Sequence, residues 1–321
     1  MGSLERFFVA CAAFAMMAAA PPQKYPTKPV HLIIAFTPGS ATDIVGRAVG
    51  EKLSEIWGQP VVSENRPGAG GSIGSNAVVQ AAPDGYTLLV NSSAHVINPA
   101  IYAKLPYDTV KDFTNVSPVA AQPNVFIVGV DSGWKTLASF IAAAKAKPGQ
   151  LNFSSAGIGS ATHLNLEKFK HMAQIDVTHV PYKGTPEAIA DTIAGRVCCY
   201  FAPITAAVPH VTGGKVVALG ISSRKRSPLL PDVPPIAEAG LPNFDYTLWV
   251  GLWGPRGIPA PLVNKINKDV QRALSSPDLK ERLAKLGAEP MLMSPGEFSQ
   301  FLRREIGETE KIVKAAGIPK Q

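Results

Sequence analysis

Short segments rich in glycine, serine and threonine are where this sequence could do chemistry. They are Thr37-Pro38-Gly39-Ser40-Ala41-Thr42-Asp43, Gly68-Ala69-Gly70-Gly71-Ser72-Ile73-Gly74, Asn91-Ser92-Ser93, Ser155-Ala156-Gly157-Ile158-Gly159-Ser160-Ala161-Thr162 and Pro181-Tyr182-Lys183-Gly184. Small residues let backbone N–H groups approach an anion closely, and hydroxyls donate further hydrogen bonds. Helix capping alone would explain any one of them, since Ser40, Thr42, Ser72 and Ser160 are ordinary cap types. Their recurrence in both halves of the chain favours a shared anion cradle. Asp43 would orient its loop at a helix start, because a carboxylate facing the ligand would repel an anion.

The elements that must position these segments follow from hydrophobic spacing. Residues 30–35 form a β-rich run that stops at Thr37-Pro38-Gly39-Ser40, and 42–58 carries Ile44, Val45, Ala48, Leu53 and Ile56 at helical spacing. The order returns with strands at 61–62 and 86–90 and a helix at 73–82. A second series has strands at 124–130, 151–153, 177–180, 197–201 and 216–221, with helices at 136–147, 162–173 and 186–195. This alternation implies βαβ units, a parallel sheet and the α/β class. After a Pro-rich stretch at 227–242, a strand at 246–253 and helices at 261–274, 277–286 and 295–314 are expected. The tail should pack back on the first series, making one lobe of 25–123 with 246–321 and another of 124–245. Strands near 125–130 and 246–253 would cross between them. Ligands of open parallel sheets bind beyond the carboxyl ends of strands, where the glycine-rich segments lie.

Composition narrows the partners. A length of 321 residues suits two domains, and 46% hydrophobic residues exclude disorder as the dominant state. Lys+Arg 31 against Asp+Glu 24 leaves a formal charge of +7, a bias toward anions. The densest cationic cluster, Arg224-Lys225-Arg226, lacks aromatic interleaving and any zinc-finger, RNP or helix-turn-helix spacing, so no nucleic acid is expected and the cluster reads as a solvated loop. The apolar stretch 7–20, behind Arg6 and ending in Ala18-Ala19-Ala20, is shorter than the roughly 20 residues that span a membrane and reads as a secretory signal peptide over 1–20. Of three cysteines, Cys11 lies inside that leader, while Cys198 and Cys199 sit in an apolar run and are expected to be buried strand residues.

Other motifs fail in context. Gly70-Gly71-Ser72-Ile73-Gly74 satisfies G-x-S-x-G, yet a nucleophile elbow needs its strand to end at the serine, and Asn65-Arg66-Pro67-Gly68 intervene. His163, Glu167 and His171 have metal-like helical spacing without a further ligand, and are read as solvent-facing. Gly213-Gly214-Lys215 is no Walker A motif, and Gly68-Ala69-Gly70 is no dinucleotide fingerprint. No metal and no cofactor are expected.

Taken in order, Tyr25-Pro26-Thr27-Lys28-Pro29-Val30, Phe36 through the first loop to Asp43, Glu64-Asn65-Arg66-Pro67-Gly68-Ala69-Gly70-Gly71, Pro83-Asp84-Gly85-Tyr86, Ser155 through Ser160 with His163-Leu164, Val180-Pro181-Tyr182-Lys183-Gly184, Leu230-Pro231-Asp232-Val233-Pro234 and Trp249-Val250-Gly251-Leu252-Trp253 resemble the Bug family, periplasmic solute-binding receptors of tripartite tricarboxylate transporters. The resemblance implies a periplasmic-binding-protein fold of the type II-like kind, with two α/β lobes joined by two crossover strands and a cleft between. It implies a monomeric, non-enzymatic periplasmic receptor that captures a small organic acid by hinge closure and delivers it to membrane permease subunits. The acid would be a mono- or dicarboxylate, aromatic if Phe36, Tyr182 or Phe201 walls it. Carried over onto this chain, Phe36, Gly39, Ser40, Ala41, Thr42 and Asp43 with Asn91, Ser92 and Ser93 would face the ligand from one side. Ser155, Gly157, Gly159, Ser160, Thr162, His163, Tyr182 and Phe201 would face it from the other. Two departures stand out. Ser40 replaces the second of two glycines, and Cys198-Cys199 stand where the family often places an Asp. The rival readings are a ligand-sensing module for a membrane sensor and a hydrolase centred on Ser72.

Overall fold

A computed structural model describes residues 25–321; the expected leader 1–20, with Cys11, lies outside the described residues. The chain runs β1 (Val30–Ile34), α1 (Ala41–Trp57), β2 (Val61–Asn65), α2 (Ser72–Val79), β3 (Thr87–Ser92), α3 (Ala94–Ile101), β4 (Phe113–Gly129), α4 (Leu137–Ala146), β5 (Asn152–Ser155), α5 (Ala161–Ala173), β6 (Thr178–Pro181), α6 (Thr185–Ile193), β7 (Cys199–Pro203), α7 (Ile204–Thr212), β8 (Val216–Ile221), β9 (Thr247–Pro255), α8 (Ala260–Ser275), α9 (Pro277–Lys285), β10 (Glu289–Pro290) and α10 (Pro295–Ala315). The strands order as β2-β1-β3-β9-β4-β7-β5-β6, with β8 and β10 also against β4.

Each wing of this sheet is parallel, as the βαβ pattern implies: β1 with β2 and β3, β5 with β6 and β7. The centre corrects the expectation of a parallel sheet. There β9 runs antiparallel to β3 and β4, and β4 antiparallel to β7 and β8. These strands come from or leave for the other wing, so no crossover helix forces them parallel.

β4 also starts well before the expected residue 124. Its first part pairs with β9 and its second, from Asn124, with β7, so one strand serves both wings. Pro118 and Pro123 conceal it, since proline offers no ladder donor and normally argues against a central strand. The ladder accommodates them with register irregularities between Asn115 and Ser117 and between Pro118 and Ala120. The return path, residues 222–246, is stapled to β4 by Ser222: its N–H donates to Asn124 O at 2.8 Å, its hydroxyl accepts from Asn124 N at 2.8 Å and donates to Tyr246 O at 2.6 Å.

The wings have separate aromatic interiors. Phe126, Phe140, Phe153, Phe169 and Phe201 cluster in one, and Trp249, Trp253 and Phe298 in the other. The C-terminal helices return to the first wing: α8 packs on α1, and α10 packs on α3 and β4 while also reaching α5. Cys199 is buried on β7 and Cys198 is partly buried. No helix among the described residues is long and apolar enough to cross a membrane.

Candidate functional site

Two turns built from one tetrapeptide dominate the space between the wings. Gly39-Ser40-Ala41-Thr42 opens α1 and Gly159-Ser160-Ala161-Thr162 opens α5. Gly39 and Gly159 sit at φ +80° and +77°, a region that suits glycine and strains other residues. Ser40 and Ser160 are N-caps with matching torsions, φ −71°, ψ 160° and φ −72°, ψ 161°. Each serine hydroxyl accepts the N–H three residues on, Asp43 N at 3.3 Å and His163 N at 3.2 Å. Each glycine N–H is accepted by the side chain four residues on, Asp43 Oδ2 at 2.9 Å and His163 Nδ1 at 3.3 Å.

This geometry leaves a defined set of free donors. A helix start has no intrahelical acceptors for its first N–H groups, and each serine satisfies only the third. The N–H groups of Ala41 and Thr42, and of Ala161 and Thr162, therefore remain open, and all four residues line one cavity with Phe36, Ser40, Ser92, Ala156, Ser160, Thr185, Pro203 and Leu248. No charged side chain lines it. Two helix N-termini converging on a space walled by hydroxyls and apolar groups make a site for an anionic group.

The wings are closed over this space, which measures about 20 Å³, roughly room for one water. Tyr102 Oη donates to Ile158 O across the wings at 2.9 Å. Gly70 packs on the backbone of Ile158 and Gly159, and Gly184 packs on Thr37. A methyl at Gly39 would lie 3.5 Å from Pro186.

Of the residues expected at the ligand, Phe36, Ser40, Ala41, Thr42, Ser92, Ser160 and Thr162 meet at the cavity. Gly39 and Gly159 shape the turns, and Gly157, at φ +112°, faces the Tyr182 carbonyl. The remainder stand behind or away. Asp43 accepts from Arg47 Nε of α1 at 2.8 Å and from Asn65 Nδ2 at the end of β2 at 2.7 Å, so its charge is spent on groups of its own wing. Asn91 bonds Ser75 Oγ and Ser92 N. Ser93 opens onto a different cavity beside Trp249 and Glu305. The Tyr182 hydroxyl donates to Asp191 Oδ2 at 2.6 Å. Phe201 is fully buried in the aromatic cluster, because both faces of β7 are covered and its ring takes the core face.

His163 corrects a second expectation. Together with Glu167 it is buried rather than solvent-facing, with its ring stacked on His179 at 4.3 Å between centroids. Among the described residues no cluster of metal-binding side chains forms. Ser155 Oγ lies 2.6 Å from His179 Nε2, so the stacked pair buttresses the second turn from behind. Burial, helped by the charge of Lys170, pushes His163 down to about 4. Burial, with His163 and Lys170 nearby, pushes His179 down to about 3. A neutral His163 is what its acceptance of the Gly159 N–H requires.

Thr185, Pro203 and Leu248 reach the cavity although nothing in their local sequence marks them. Thr185 begins α6 just past the Pro181–Gly184 turn and Pro203 ends β7, so the rule that ligands gather at strand ends and helix starts could have found both. Leu248 arrives only through long-range pairing of β9.

The sequence model of the tripartite tricarboxylate transporter family receptor matches residues 45–318. Protein BugT of Bordetella pertussis is 33% identical over 312 residues, 97% of this chain and 95% of BugT. A solved R. palustris protein with adipate superposes with TM-score 0.90 at 34% identity, covering 92% of this chain and 100% of its own. MatC from Rhodopseudomonas palustris with bound malate gives TM-score 0.86 at 35% identity, covering 90% and 100%.

Proposed function

We propose, because the chain belongs to the tripartite tricarboxylate transporter receptor family, that it captures a small aliphatic dicarboxylate between its two wings and delivers it to membrane permease subunits from the periplasm. The observation that carries this reading is the convergence of the two Gly-Ser-Ala-Thr helix starts, whose open N–H groups grip a carboxylate without a lysine or arginine. The proteins with adipate and with malate support the dicarboxylate class. Phe36 is the single aromatic ring on the cavity, which favours an aliphatic over an aromatic acid.

A cavity of about 20 Å³ is smaller than any organic acid, so loading requires the wings to part. The two bodies are 25–123 with 246–321, and 124–245, and they bend where β4 passes Pro123 and where 222–246 returns. A ligand touching both helix starts favours the closed arrangement, since only differential affinity for one state shifts the population. A micromolar receptor needs about −8 kcal/mol overall, within reach of several charge-assisted hydrogen bonds. The secreted form is the chain without its 1–20 leader, acting as a monomer.

The family is one of receptors rather than enzymes, and Ser72 fits that. It is the first residue of α2, seven positions past the end of β2 at Asn65, with Gly71 as its N-cap, so no nucleophile elbow exists there. Thermal-shift screening of the purified protein against organic acids tests the proposal: aliphatic dicarboxylates should raise the melting temperature. Stabilisation by a cation or sugar, with no carboxylate effective, would refute it.

A further inference from the structure

The Arg224-Lys225-Arg226 cluster is solvent-exposed, as expected of a loop, and it also borders a concavity. It lines a pocket of about 440 Å³ that shares no residue with the carboxylate cradle. One wall is the segment after β8, from one wing; the opposite wall is α9 and β10 with Lys280, from the other; the floor is β4 around Gln122 and the start of β9. The volume is that of a small-molecule site.

Its charge points to the class of occupant. Arg224 pairs with Asp245 at 3.1 Å and Arg226 with Glu238 at 2.8 Å. Lys225 and Lys280 also line the pocket, and among the described residues neither forms an ion pair, whereas Glu289 is the one further acid on the lining. We propose that this pocket is a second anion site, taking a multiply charged oxyanion that bridges Lys225 of one wing and Lys280 of the other. Because its walls belong to both wings, an anion held there favours the arrangement in which they are close, coupling this site to closure over the cradle.

Isothermal titration of the purified protein at low ionic strength tests this, with citrate as a carboxylate probe and pyrophosphate as a phosphate probe. Four proteins are compared: the native chain, Lys225→Ala/Lys280→Ala, Lys225→Arg/Lys280→Arg, and Ala161→Asp, which sets a carboxylate in the cradle. At least one probe should bind the native chain and Ala161→Asp alike, and which probe binds identifies the source of the oxyanion. The affinity should weaken with added salt, fall at least tenfold in Lys225→Ala/Lys280→Ala, and return in Lys225→Arg/Lys280→Arg. No binding of either probe, binding unchanged in the double alanine variant, or binding lost in Ala161→Asp would each overturn the proposal. The last outcome would assign the anion to the cradle instead. Both lysines are exposed, so the variants should melt like the native chain.

Discussion

The turns at 39–42 and 159–162 share a tetrapeptide and a backbone shape, yet different chemistry holds each in place. The glycine N–H of the first is accepted by Asp43, an anion neutralised by Arg47 and fixed by Asn65. That of the second is accepted by His163, a neutral ring stacked on His179. An imidazole serves only while it is unprotonated, so acid undermines the support of the second turn.

The largest effect should come from a carboxylate placed in the cradle itself. Ala41→Asp and Ala161→Asp each put a negative charge before the open N–H groups, at a helix position that tolerates aspartate. Each should weaken adipate and malate binding at least 100-fold by isothermal titration. Loss in one variant alone would show that a single turn makes the grip and would break the symmetry argued above.

Next comes acid. Burial pushes His95 down to about 3, alongside His163 at about 4 and His179 at about 3. Their folded pKa values lie below the unfolded 6.5, so between these limits the unfolded chain binds more protons and stability falls as pH falls. Each histidine contributes up to about 1.4 kcal/mol per pH unit in that window. Denaturant melts from pH 7 to pH 5 should show this loss. The slope should be shallower in His163→Gln than in the native chain; equal slopes would mean that His163 is not the acid-sensitive support.

Smaller effects separate the glycines. Gly39→Ala and Gly159→Ala each meet about 1–2 kcal/mol of left-handed backbone strain. At Gly159 the added methyl would also lie 2.7 Å from Asn98 Oδ1 and 2.9 Å from Tyr102, against 3.5 Å from Pro186 at Gly39. Gly159→Ala should therefore lower the melting temperature more. Ser72→Ala should cost under about 1 kcal/mol and leave ligand affinity unchanged by titration.

How much of this was legible in the sequence depends on whether the signal was local. The turns were, because a serine cap after glycine and before an apolar period is written in adjacent residues; hence 42–58 for α1 and 162–173 for α5 fall within a residue or so of Ala41–Trp57 and Ala161–Ala173. β4 before residue 124 was hidden by Pro118 and Pro123, and α7 by Pro209 inside it. The face of Phe201 could not be read, because every residue of β7 is buried and alternation vanishes. His163 and Glu167 looked solvent-facing because polar side chains usually are, and only the stack on His179, from another strand, puts them inside.

Backbone N–H groups of both turns should hold the ligand together. A crystal structure of the protein with adipate tests it most directly. The expected result is one carboxylate within about 3.2 Å of the N–H groups of Ala41 or Thr42 and of Ala161 or Thr162, directly or through one water, with Asp43 and His163 still behind their turns. A carboxylate held by side chains of a single wing, with either helix start out of reach, would contradict it.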